Sequence, residues 1–148
     1  MERNTLRMIL GLVTLFIFPT ACEIQAAEWI FYGETGSGHL YYDNTSIMKS
    51  GNNVQVRTMA IFGDDGKATF NHALKKIGKA PGNADVVSYS ISSEQFDCVK
   101  NKLKLSSMTI YNEKGGAIHS MAMKNDDWDD IIPETNGDNL RKIVCSGL

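Results

Sequence analysis

A basic excess is missing from this chain. Its 15 lysines and arginines stand against 17 aspartates and glutamates, a formal net charge of −2 over 148 residues. Loss of residues 1–27 would leave that balance unchanged, because Arg3 and Arg7 cancel Glu2 and Glu23. With nothing to attract a phosphate backbone, nucleic acid is excluded as a partner. Cysteine is scarce, three in all, and no Cys-x-x-Cys occurs, which removes a thiol-oxidoreductase reading. The three histidines, His39, His72 and His119, fall at none of the His-x-x-His, His-x-x-x-His or Cys/His spacings of metal sites. Ser88, Ser90, Ser92 and Ser93 lack a Gly-x-Ser-x-Gly elbow and read as solvent-facing hydroxyls on a strand. The sequence therefore asks for no cofactor and does not read as an enzyme. Internal repeats, long linkers and low-complexity segments are also missing, which argues for one domain and against a solenoid.

Long apolar runs are limited to Met8–Phe18, broken only by Gly11 and Thr14. About eleven residues cannot cross a hydrocarbon layer that needs about 20. Preceded by Arg3 and Arg7 and followed by small residues up to Ala27, the run reads as an export signal over residues 1–27. Two processing routes stay open. A cut after Gln25-Ala26-Ala27, or one residue earlier, gives a soluble protein and discards Cys22. Alternatively Thr20-Ala21-Cys22 is a lipobox and Cys22 becomes an acylated first residue, although Pro19 stands where leucine is usual. Both routes place residues 28–148 outside the cytoplasm, in the periplasm or on the surface of a bacterium. Membrane contact is expected only if Cys22 is lipidated.

In an oxidising compartment the two remaining thiols, Cys98 and Cys145, are expected to pair. Closing that loop stabilises a domain by about 4 kcal/mol in the chain-entropy model. About 120 residues suffice for one working core.

Periodicity gives strands first. Trp29–Gly33 and Leu40–Tyr42 flank the Gly/Ser/Thr-rich Glu34–Gly38 and predict a hairpin, with a turn or helical cap at Asp43–Ser46. Val54, Val56, Thr58 and Ala60 alternate with Gln55, Arg57, Met59 and Ile61 as a strand with one buried face. Gly63 to Asp85 reads as a polar excursion with a helical turn around Phe70–Ile77. Val86–Val99 and Lys102–Tyr111 predict two more strands. Asn112–Gly116 then supplies hairpin chemistry, since its two glycines accept positive φ, and Ala117–Met123 is the return strand. A helix is expected from about Pro133 to Val144, where Leu140, Ile143 and Val144 recur at helical spacing. The expected class is α+β, mainly an antiparallel β-sheet of about six strands with a C-terminal helix tied to it by the disulfide.

Two surfaces invite a functional reading. Asp126-Asp127-Trp128-Asp129-Asp130 lacks the Asp-x-Asp-x-Asp-Gly ligand spacing of a calcium loop and reads as a solvated loop pinned by a buried Trp128. In the first hairpin, strand alternation sends Trp29 and Phe31 one way and Ile30 and Tyr32 the other, and splits Tyr41 from Tyr42. Phe31, Tyr32 and Tyr41 are the candidate binding residues, with the expectation that a helix or loop covers the second aromatic face. An exposed sheet edge could also pair two copies as a homodimer.

In order along the chain come Trp29 and Gly33, Tyr41-Tyr42-Asp43 with Ser46-Ile47, Val54-Gln55-Val56 and Phe96-Asp97-Cys98. Tyr111–Gly116, Trp128 to Pro133 and Leu140–Cys145 follow. This succession resembles the surface-adhesin protein E-like domain over nearly the whole of residues 28–148. Gly63–Asp85 offers no motif to match. The resemblance implies an antiparallel sheet backed by helix, and an exported non-catalytic binding or adhesion module of the bacterial envelope. It also implies protein partners such as the matrix and serum proteins vitronectin, laminin and plasminogen. The alternative is a structural or assembly accessory of the periplasm or outer membrane with no host ligand.

Overall fold

A computed structural model describes residues 26–79, 82, 86–124 and 127–146. Cys22 and residues 1–25 of the expected export signal lie outside them. Strand β1 (Trp29–Thr35) turns at Gly36-Ser37 into β2 (Gly38–Asp43). A 3-10 turn over Asn44–Ser46 then leads to β3 (Met48–Ser50) and β4 (Asn53–Phe62). Helix α1 (Asp64–Lys76) precedes β5 (Val87–Asp97), β6 (Lys102–Asn112) and β7 (Ala117–Ala122). A two-residue β8 (Asp129–Asp130) and helix α2 (Asn136–Val144) complete the described chain. All pairings are antiparallel in the order β1-β2-β4-β5-β6-β7, with β3 on β4 and β8 on β6. The six long strands form the expected sheet, and β3 and β8 bring the described total to eight.

The alternation in β4 sets the layers. Val54 and Val56 are fully buried, and Thr58 and Phe62 nearly so, all on one face. Both helices sit on that face. The α2 residues Leu140 and Val144 pack with Tyr42, Val54, Val56 and Phe96, while Leu74 of α1 packs with Phe62, Val87 and Ile110. Each helix thus caps one end of the same sheet face.

Helix α1 replaces the expected polar excursion with its single turn. Asp64 and Asp65 occupy its first turn and Lys75 and Lys76 its last, matching the helix dipole at both ends. It ends in a Schellman motif: Lys79 donates to the Leu74 carbonyl at 2.9 Å, Gly78 donates to that of Lys75 at 3.1 Å, and Gly78 has φ 69°. Gly66 lets the helix meet the first hairpin, since a Cβ there would lie 2.2 Å from the Ser37 carbonyl oxygen.

At the other end Thr135 caps α2, accepting from the Asp138 amide at 3.4 Å, and Asp138 in return accepts from the Glu134 amide at 3.2 Å. The expected helix start at Pro133 moves to Asn136, the three residues before it forming a turn and the cap. Lys142 and Arg141 also bond Asp138, at 2.8 and 2.9 Å, and with the Glu134 amide hold its carboxyl well below the usual range. A depressed folded pKa contributes stability above the unfolded value of about 3.9 and loses it as pH falls toward the folded one. Asp138→Asn is therefore expected to lower the urea midpoint at pH 7, with the deficit shrinking toward about pH 2. A deficit that stays constant with pH would contradict the ion-pair account.

Cys98 and Cys145 are bonded, with Cα atoms 5.8 Å apart at a sequence separation of 47, so the staple joins the end of β5 to the end of α2. In the Asn112–Gly116 hairpin the Asn112 side chain accepts from the amides of Lys114 and Gly116, and Gly115 alone takes positive φ. The acidic segment is more than a solvated loop. Asp129 and Asp130 pair with Leu103 and Lys102 as β8, and Lys102 meets Asp130 at 2.9 Å. Trp128 is half-buried beneath Lys104, whose Nζ lies 5.3 Å from the ring centroid. Asp126 falls outside the described residues.

Candidate functional site

The sheet has one clothed face and one bare face, and each offers a site. On the bare face the register aligns Phe31, Tyr41, Met59 and Ile91 across four strands, with His39, Ile61, Tyr89 and Tyr111 in the neighbouring row. Phe31 meets Tyr41 edge-on at 5.7 Å, and Tyr89 stacks on Tyr111 at 4.9 Å. Phe31 is 52 % exposed and Ile61 40 %. The expected cover is absent among the described elements, because both helices are committed to the opposite face.

Tyr32 does not join Phe31 and Tyr41. A bulge between Phe31 and Gly33 leaves Tyr32 without a register partner, and its ring packs on Tyr42 at 6.3 Å, on the clothed side. The candidate residues thus separate as the strand alternation had separated them, two on the bare face and one beneath the helices.

Between the two helix seats the clothed face carries small residues. Thr58 pairs with Ser92 and Ala60 with Ser90, and these short side chains leave a cleft of about 220 Å³. Tyr32, Leu40, Phe62, Phe70 and Met108 contribute to its largely apolar lining. Ser90 is 2 % exposed and Ser92 7 %, which corrects the reading of both as solvent-facing hydroxyls: they look into the cleft. Glu94 lies beside them and accepts a hydrogen bond from the Thr58 hydroxyl on Oε1 at 2.7 Å. Burial pushes the Glu94 carboxyl up, against the Thr58 bond that lowers it. Burial, with the Glu94 charge adding to it, pushes the Tyr32 hydroxyl above its usual range. Sequence reasoning missed Glu94 and Thr58. No sequence signal marks them, since small hydroxyls on a strand read the same whether they face water or a hollow.

A third polar cluster is structural. Asp43 is fully buried, which pushes its carboxyl up. Bonds from the Thr45 hydroxyl, Arg57 and the amides of Glu28 and Thr45 outweigh this and hold it below the usual range. Among the described residues no three acidic, histidine or cysteine side chains are placed to hold a metal ion, and no helix is long and apolar enough to cross a membrane.

The fold is a helix-backed antiparallel sheet that leaves an aromatic face bare. The chain belongs to the Surface-adhesin protein E family, whose model matches residues 29–146. It is an adhesin-like surface protein, and protein binding is what such a family implies in general. No curated protein and no solved structure matches the chain.

Proposed function

We propose that the protein is an exported, non-catalytic adhesion module of the bacterial envelope, and that Phe31 and Tyr41 on the bare sheet face contact its protein partner. The observation that carries this reading is the unclothed aromatic row, in a domain whose helices both lie behind the sheet. Exposed contiguous apolar patches of this kind mark interaction sites, and aromatic anchors dominate such interfaces. Family membership supports the direction of the reading, and the disulfide suits an extracytoplasmic address.

Binding to immobilised vitronectin, laminin and plasminogen tests it. Phe31→Ala with Tyr41→Ala is expected to weaken capture by about 30-fold or more, as loss of a hot spot of about 2 kcal/mol does. Thermal stability should stay within about 0.5 kcal/mol of the parent, as for surface changes. Capture unchanged by the pair of substitutions would sink the surface assignment. Survival of the domain on intact cells under a protease that digests the purified protein would favour the envelope accessory instead.

A further inference from the structure

We infer that the cleft beside α1 on the clothed sheet face binds a small organic ammonium ion, a primary amine carried on an aromatic or branched apolar body. This site lies on the opposite side of the sheet from Phe31 and Tyr41 and does not depend on the adhesion reading. The floor is a carboxyl flanked by hydroxyls. Thr58 occupies Oε1 of Glu94, while among the described residues nothing donates to Oε2, or to the hydroxyls of Ser90 and Ser92. Glu94 and Ser92 open onto the cleft, and no basic side chain lines it, so the protein supplies no counter-charge to the carboxyl. An alkylammonium brings donors and no acceptor, which matches the Glu94 carboxylate with the Ser92 hydroxyl two residues before it on the same strand face; Ser90, about 13 Å from Glu94 along β5, faces the body of the ligand.

The walls fit the rest of such a molecule. Tyr32, Phe62 and Phe70 supply aromatic surface and Met108 is available as a polarisable filler. A volume of about 220 Å³ equals that of about seven waters at about 30 Å³ each, room for one ring and a short arm. A metal cation is the poorer match, since hard divalent ions want several oxygen charges and the cleft offers one carboxylate. Its titratable lining consists of Glu94 on β5 and Tyr32 on β1; β2, β4, β6 and α1 contribute no charged side chain to it. The lifted Glu94 pKa has the sign expected of an acid whose counter-charge is still to come.

Phenethylamine and 2-phenylethanol, the same body with and without the charge, separate the ammonium site from a merely greasy cleft. Titrated into residues 28–148 and followed by calorimetry and amide NMR shifts, phenethylamine is expected to saturate, shifting Thr58, Ser90, Ser92 and Glu94. Glu94→Gln should weaken it by about tenfold or more, the range for a hydrogen bond to a charged group, and change 2-phenylethanol by no more than about twofold. On the unmutated protein, phenethylamine affinity should rise with pH as Glu94, its carboxyl pushed up by burial, ionises, and that of the alcohol should not. The pH series decides even if the variant does not fold. Lack of saturation by phenethylamine at about 10 mM, equal binding of the alcohol, or a flat pH profile would each overturn the inference.

Discussion

Reduction of the Cys98–Cys145 bond, or Cys145→Ser, is expected to lower the unfolding free energy by about 2–5 kcal/mol. The bond spans 47 residues and holds the end of α2 against the end of β5. Without it α2 has nine residues to hold itself, too few for a helix to persist alone. Its seat then depends on Leu140 and Val144 against the sheet, and on small ties such as Asn136 Nδ2 to the Glu34 carbonyl at 2.8 Å. At about 3–5 °C per kcal/mol, the thermal midpoint should fall by at least about 6 °C. Thermal melts with and without reductant check this, and a shift under about 2 °C would show that the staple adds nothing to the packed helix.

Phe96→Ala is expected to cost about 3–5 kcal/mol. Phe96 is fully buried where β5 passes under α2, touching the cluster of Tyr42, Val54, Val56, Leu140 and Val144. Its ring is both the floor beneath the helix and the neighbour of the Cys98 anchor two positions on. Loss of the ring and loss of the disulfide both undo the docking of α2, so the double variant should lose less than the two single losses added together. Urea unfolding of the four proteins measures the shortfall. Strict additivity would mean that α2 is held by two unrelated devices.

Much of the sheet could be read from the chain, for a reason visible in β4. Val54, Val56 and Thr58 face a packed core while Gln55, Arg57 and Met59 do not, and a sheet clothed on one side writes that difference into every second residue. The Cys98–Cys145 pairing was legible because, once Cys22 is set aside with the expected export signal, only two thiols remain. Helix α1 was not. Its sequence, with Gly66 inside it, is mostly polar, and what makes the glycine necessary is a carbonyl at Ser37, almost thirty residues earlier. Its end signals, paired aspartates and then paired lysines before Gly78, were present and outweighed by composition.

The two sites divide in the same way. Phe31 and Tyr41 announce themselves because large aromatics on a strand must go somewhere, and alternation says which go together. The cleft is silent in sequence. Ser90 and Ser92 alternate identically whether they face water or a hollow, and the hollow exists only where the sheet meets Phe70 of α1 and the first hairpin. Glu94, in a Ser-Ser-Glu-Gln stretch, looks like any exposed carboxylate until Thr58 is found beside it.

The order of the strands carries a consequence for assembly. Apart from the β3 detour, each long strand pairs with the next long one along the chain, mostly through short hairpins and once, between β4 and β5, across the segment that carries α1, so the sheet can grow at low loop-closure cost. The closing step is different in kind. Asn136 must return to Glu34 across 102 residues, and Cys98 must wait for Cys145. The first hairpin is thus made early but finished last, and for that interval its clothed side, Tyr32 and Tyr42 included, stands open.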